Sequence, residues 1–495
     1  MARCSFAYTD VTGIYEQKYP VGKGLQGRFM YVEDGDLKWL VAAFDFAGTF
    51  RQSCRAWRKK IARATGIPYS GIWFHELQIH AAPVSFEPDS ESCDRLAEIC
   101  IPVIRKMMED ALEAEVSYVL PDMGEKFSMN REQYIPDLGG VTVWAGLQMD
   151  SEGRPFTQNT DIMLLDGYKP ELSALKEPVW FDRPVDPQGA LMVFRSNTGR
   201  ILGTLSRFAA HPDVAVLFES MGVTDQYRYH FDWSGYLREY IDSRIGGTGI
   251  YINGPCANLS VKKGYQGMET YEACDREAHR IGTEIGERLV EEWLDCAPSW
   301  NKVRLKGILS ETTDLAIRSS IPKSRADATN QTGLSRAAQA LKEAIEGNAS
   351  PAKIKKLIDE KYHQSILPTL VMEWAGFTDE ELKNRLAPVE IGAAALNGLL
   401  FVGLPGECLT ETGAWIKAQT AGNQVLVMDQ VNGYMGYMAT PEAMDQGGYT
   451  YWGSWMERTE ERVLRKTAIN LVRQLKQQEA YSASIRNLED EGAME

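Results

Sequence analysis

At 495 residues with 44% hydrophobic side chains, the chain is long enough for one large domain or two to three ordinary ones, and it can bury a full core. Its 53 basic and 68 acidic residues give a net charge of -15, which repels phosphate backbones and anionic membranes and so speaks against nucleic-acid and membrane partners. The eight cysteines form no CxxC pair, the start MARCSFAYTDVTG does not read as a secretory signal, and no apolar run is long enough to span a bilayer, so a cytoplasmic location is expected.

From Leu37 the chain reads as a buried strand (LKWLVAAFDF), a basic helix over Thr49 to Thr65, a strand from Ile72 to His80 and a helix from about Ser90 to Glu115. Between Val116 and Pro187 periodicity gives way to Asp, Gly and Pro, which predicts long surface loops able to shape or cover a pocket. Strand signals resume at ALMVFRS and RILGTLSRFAAHP, with Asn197-Thr198-Gly199 as the hairpin turn between them. A helix (Ser234 to Ile245), a strand (TGIYINGP) and a long acidic helix (Tyr271 to Asp295) follow.

The polar stretch from Ser319 to Lys383 is helical by pattern. The apolar run from Val389 to Leu404 reads as two buried strands around an Asn397-Gly398 turn, and a further strand is expected over Gln424 to Met428. A helix from about Thr459 to Glu479 and a frayed polar tail close the chain. The expected fold is α/β: a large mixed β-sheet core flanked by helices, one domain over 1–480 with a helical insertion at 319–383, and a tail over 481–495.

Three separated segments end apolar runs in polar side chains beside Gly or Pro, as strand ends do when they deliver groups to a cleft. In GIPYSGIWFHELQIHAAP a strand would put Glu76, Gln78 and His80 on one face, and His75 with Leu77 and Ile79 on the other. In LSRFAAHP, His211 closes the run and is fixed by Pro212; its alternatives are a metal ligand and a satisfied structural histidine. Glu407 follows LPG and is expected to open a helix over Cys408 to Ala418, where an acid suits the helix dipole. Tyr437 and Tyr449 lie in a Gly-rich loop. The turn GPCANLS ends in Ser260 and lacks the GxSxG elbow of an α/β-hydrolase nucleophile.

Taken together, these segments resemble the catalytic domain of the neutral/alkaline (non-lysosomal) ceramidase family. CSFAYTDVTG is similar to that family's first strand and VAAFDFAG to its strand ending in Asp. GIPYSGIWFHELQIHAAP resembles its T-H-T-H-S-G-P segment, LSRFAAHP its N-x-A-x-H-P, FDWSGYL its D-x-P-G-Y and GPCANLS its G-N-L-S turn. VGLPGE matches its L-P-G-E, and NGYMGYMATPEAMDQGGY its N-x-Y-x-G-Y motif, whereas Val116 to Pro178 and Ser319 to Lys383 match poorly.

The resemblance implies zinc held by two His, a Glu and a Tyr for amide cleavage. Carried over, His211, Glu407 and Tyr437 are metal ligands, and Gln78 stands where the family has its first zinc His. His80 stands where the family's second His helps bind or polarise the carbonyl, Ser260 at its turn Ser implicated in catalysis, Tyr449 where it would stabilise the developing oxyanion and Arg131 at its active-site Arg. An amide is a poor zinc ligand, so zinc or another divalent metal is expected with Gln78 as the departure.

The expected function is metal-assisted hydrolysis of an amide or related C-N or C-O bond in a soluble polar small molecule. Gln78 keeps open a metal-independent acid/base lyase or isomerase, with His80, Glu407 and Tyr437 as its groups, and a non-catalytic ligand-binding scaffold is the third reading. The oligomeric state, a homo-oligomer included, is left open.

Overall fold

A computed structural model of the chain describes residues 2–14, 19–85, 90–135, 138–142, 148–149, 151, 155–157, 179–180, 182–216, 226–262, 268–371 and 376–492. Within the Val116 to Pro187 stretch expected to form long loops, most of residues 143–178 therefore lies outside the described residues. The first half of the chain supplies β1 (Arg3–Asp10), β2 (Gln26–Asp34), β3 (Leu37–Phe44), α1 (Arg51–Thr65), β4 (Ile72–Glu76), α2 (Ser90–Asp110), β5 (Leu112–Val119), β6 (Ala190–Ser196) and β7 (Ile201–Phe208). After these come α3 (Asp232–Ile245), β8 (Thr248–Asn253) and α4 (Tyr271–Cys296).

The eight strands order as β8-β7-β6-β5-β1-β2-β3-β4, and Asn301–Lys302 adds a ninth strand beside β5. β7 with β8 and β3 with β4 run parallel; the other pairs along this path are antiparallel. The expected α/β architecture around a large mixed sheet is the one observed. The two edge strands meet: the Asn253 N–H at the end of β8 donates to His75 Nε2 on β4 at 3.0 Å.

The second half builds β9 (Leu305–Ala316), α5 (Thr332–Glu346), α6 (Pro351–Thr369), β10 (Leu386–Leu396), β11 (Leu399–Gly403), α7 (Thr410–Ala418), β12 (Val425–Met428), α8 (Tyr449–Gly453) and α9 (Glu460–Gly492). β9 to β12 form a four-stranded sheet in that order. Its apolar run reads as continuous because both faces are covered. Ala394, Leu396, Leu399 and Phe401 pack into the core of the large sheet. Their alternating neighbours Ala393, Ala395, Leu400 and Val402 pack into a second core with Leu464, Val472 and Leu475 of α9. Trp39 against Phe401, with ring centroids 5.0 Å apart, joins the two sheets face to face.

Local chemistry accounts for many boundaries. α1 buries Cys54, Trp57 and Ile61 at helical spacing and stops at Gly66, whose φ of 71° lets its N–H reach Ala62 O. The β10–β11 turn has Asn397 at φ 49° and Gly398 at φ 79°, the left-handed pair a two-residue hairpin demands.

Four expectations change. β2 and β9 are full strands with no counterpart among the expected elements, while β1 lies where the resemblance implied a first strand. The helix read through Glu115 ends at Asp110, and Leu112–Val119 enters the sheet between β6 and β1. Its glutamates favour a helix locally, but its period-two pattern buries Ala114 and Val116, and Glu115 pairs with Arg195 across the strands at 2.7 Å. The strand read through His80 stops at Glu76, because Gln78 takes a left-handed φ of 60° and breaks the alternation. The last helix runs through the expected frayed tail to Gly492. All eight cysteines are free, and among the described residues no helix is long and apolar enough to cross a membrane.

Candidate functional site

Parallel strand pairs leave the sheets side by side, and their C-terminal ends carry the site. β7 runs on through Ala209 and Ala210 to His211, while β8 runs on to the 254–260 turn. Asn253 locks the two together by accepting from Ala210 N and donating to Ala210 O, at 3.3 and 3.1 Å. Ser260 then forms a parallel bridge with His211. β11 and β12 are the second parallel pair, leading to Glu407 and to Tyr437, which face each other in a two-residue parallel ladder. Glu407 thus sits in extended backbone and not in the first turn of a helix; α7 begins only at Thr410.

Beneath these loops the buried Asp429 carboxylate accepts the backbone N–H groups of Cys256, Cys408 and Gln430 and holds three segments together. Burial pushes its pKa well up.

His211 is fully buried. Its Nδ1 lies 2.6 Å from Cys256 O and 3.1 Å from Leu259 O, so Nδ1 carries the proton and Nε2 keeps the lone pair. Burial, with the Arg131 charge beside it, pushes the imidazole pKa down to about 4, and it is neutral at pH 7. Glu407 Oε2 lies 3.5 Å from that Nε2 and has no hydrogen-bond donor among the described residues. The other oxygen, Oε1, accepts from Tyr434 OH at 2.6 Å. Burial pushes the Glu407 carboxyl up, yet its pKa is lowered overall, with the Tyr434 hydrogen bond among the groups that favour the anion.

Arg131 is the cation of the centre. The short strand Ser128–Asn130 pairs with Leu259–Val261, and the Arg131 N–H donates to Asn258 O, which sets the side chain among the ligand candidates. Its Nη2 lies 3.1 Å from His211 Nε2, 3.0 Å from Tyr437 OH and 2.8 Å from Ala257 O, and Nη1 is 3.7 Å from Asp213 Oδ2. Burial opposes its charge, yet Tyr437, Asp213, Tyr449 and Glu407 raise its pKa.

Tyr449 opens α8 with its ring 4.9 Å from that of Tyr437, and burial pushes its hydroxyl up to about 12, so it stays protonated. The His80 ring centroid is 5.2 Å from that of His211, and its Nδ1 lies 3.1 Å from Gln78 O. Ser260 Oγ donates at 3.4 Å to the Asp213 carboxylate.

The structure therefore brings His211, Glu407, Tyr437, Arg131, Tyr449, Ser260 and His80 into one neighbourhood. Gln78 stands apart in its contacts: its Oε1 faces Cys256 Sγ at 3.6 Å. Sequence reasoning passed over Asp213, two residues after His211, and Tyr434, three before Tyr437 in the same motif. It also passed over Glu132, which burial pushes up to about 7 next to Arg131.

Among the described residues no three His, Cys, Asp or Glu side chains gather as a metal group; the third donor the resemblance implies is a tyrosine. As a test of fit, the 3.5 Å between His211 Nε2 and Glu407 Oε2 is close to the roughly 3.3 Å edge of a tetrahedron with bonds of about 2.0 Å. The His211–Glu407 pair fits one edge of a divalent site; Tyr437 OH shares Arg131 Nη2 with His211, and Gln78 Oε1 faces Cys256 instead. A cavity of about 570 Å³ lies elsewhere, against α5 and α6 and lined by Ser320, Arg336, Glu360 and Gln364.

No family model matches the chain, and no curated protein matches it in sequence. By structure its fold resembles that of ceramidases. One neighbour is the neutral ceramidase from Pseudomonas aeruginosa, with a TM-score of 0.63 at 13% identity over 97% of this chain and 75% of that one. Another is a ceramidase complexed with C2, with a TM-score of 0.62 at 13% identity over 96% of this chain and 75% of that one. At such identity the likeness extends to the fold alone.

Proposed function

We propose that the chain is a hydrolase that cleaves an amide or related C-N or C-O bond in a soluble polar small molecule, in a reducing cytoplasmic setting, with His211, Glu407 and Tyr437 holding a divalent metal such as zinc. The observation that carries this reading is the pair of buried acceptors, His211 Nε2 and Glu407 Oε2, facing each other at 3.5 Å. Two such lone pairs repel unless a cation lies between or beside them; Arg131 Nη2 reaches Nε2 at 3.1 Å but leaves Glu407 Oε2 without a donor among the described residues. When bound, the metal supplies Lewis-acid polarisation of a carbonyl and acidifies a water.

The remaining roles belong to the protein. The Cys256 and Leu259 carbonyls fix the tautomer and orientation of His211, the partner arrangement metal-binding histidines use. Tyr434 holds Glu407 in place. Tyr449, with its proton retained, donates to the oxygen on which negative charge develops, and His80 Nε2 takes up or returns a proton. Ser260 and Asp213 orient polar groups of the substrate.

Elemental analysis of the purified protein beside its His211→Ala variant tests the reading. About one equivalent of metal in the wild type and loss in the variant are expected; no metal in either protein after reconstitution would sink it. In that case the acid/base lyase or isomerase leads. The contact of Arg131 with both His211 and Tyr437 favours this second reading, since it gives the centre a positive charge of its own.

A further inference from the structure

Arg131 and a metal would compete for the same electrons. His211 has a single lone pair to offer, on Nε2, because its Nδ1–H is committed to the carbonyls of Cys256 and Leu259. In the structure Arg131 Nη2 uses that lone pair at 3.1 Å and engages the Tyr437 hydroxyl at 3.0 Å. Zinc takes imidazole nitrogen at about 2.0 Å along the same direction. One sp² lone pair cannot serve an N–H donor and a metal together.

We infer that Arg131 is an internal competitor for the metal site: its guanidinium and a divalent cation exclude each other at His211 and Tyr437, and the cation enters only as the guanidinium withdraws. The inference rests on the metal reading above. Asp213 gives the guanidinium a place to withdraw to. Its carboxylate is already 3.7 Å from Nη1 and is steadied by Ser260 Oγ at 3.4 Å. A move of that size exchanges one set of charge-assisted hydrogen bonds for another and leaves no charge unpaired in the interior.

The test titrates zinc into the full-length wild type, Arg131→Met and Asp213→Asn against a chelator of known affinity, with metal content measured after dialysis. Arg131→Met is expected to bind zinc at least tenfold more tightly than wild type, and to lose it when His211→Ala is added. Asp213→Asn is expected to bind more weakly, because the displaced guanidinium has lost its carboxylate. One equivalent of zinc in both wild type and Arg131→Met at equal affinity would overturn the competition and leave the metal reading standing. Zinc in neither would overturn both. Should Arg131→Met fail to fold, Asp213→Asn decides: zinc affinity equal to or tighter than wild type overturns the inference.

Discussion

Buried ionisable side chains set the behaviour of this protein at the scale of single residues. Glu76 closes β4 with 1% exposure; burial pushes its pKa from 4.5 up to about 8, against weaker help from Thr49 and Cys54. Because the folded value is raised, the stability it contributes is fully present below pH 4.5 and is lost as the pH rises through 8. Glu76→Gln keeps the shape of the neutral acid and removes that dependence. The variant is expected to match wild type near pH 4.5 and to exceed it by on the order of a few kcal/mol at pH 8.5 in urea unfolding. An equal difference at the two pH values would refute this. Period-two alternation fails at Gln78, because it requires an extended residue and a φ of 60° turns this side chain toward Cys256.

Among the elements, α6 acts as a clamp on the loop that delivers Tyr449. Lys355 Nζ lies 2.6 Å from both oxygens of Asp359, and the Gly448 N–H donates to Asp359 Oδ2 at 3.1 Å. Further along α6, His363 Nδ1 bonds Trp452 O at 2.9 Å, and Glu360 accepts from Tyr451 OH at 2.9 Å. Removing one partner of a buried pair strands the other, so Asp359→Leu is expected to cost about 3–5 kcal/mol. Adding Lys355→Leu should recover part of that loss. About 1–3 kcal/mol should remain, because the Gly448 N–H still lacks its acceptor. Denaturant unfolding of the single and double variants measures both; a double variant no better than Asp359→Leu would show that the ion pair is not the clamp. The helical character of this stretch was legible in its pattern. Its bonds to α8 were not, since hydrogen bonds between distant segments leave no periodic trace.

For the whole molecule, three neutral histidines make the fold sensitive to acid. Burial pushes His75 and His211 down to about 4 and His363 to about 3, from 6.5. Their folded values are depressed, so the stability they contribute is present above pH 6.5 and drains away as the pH falls toward 4. Glu76 and Glu132, raised to about 8 and about 7, act in the opposite sense until their unfolded value of 4.5 is reached. Asp429, raised well above 3.8, adds to them, so melting temperature should change little from pH 6.5 to about 4.5 and fall below; a flat profile down to pH 3 would contradict the burial of these groups. His75 matters most to the architecture, because its Nε2 accepts from Asn253 and ties one edge of the large sheet to the other. By itself the sequence determined what is local or periodic: α1, the Asn397-Gly398 hairpin, the twice-covered apolar strands, and the strand end that carries His211. Tertiary structure alone decided that Leu112–Val119 is a strand, since cross-strand pairing outweighed the helix preference of its glutamates. It also decided what Arg131, placed at the site until then by the resemblance alone, touches there, because its contacts with His211 and Tyr437 depend on Ser128–Asn130 pairing with Leu259–Val261, a contact between remote segments that no neighbouring residue encodes.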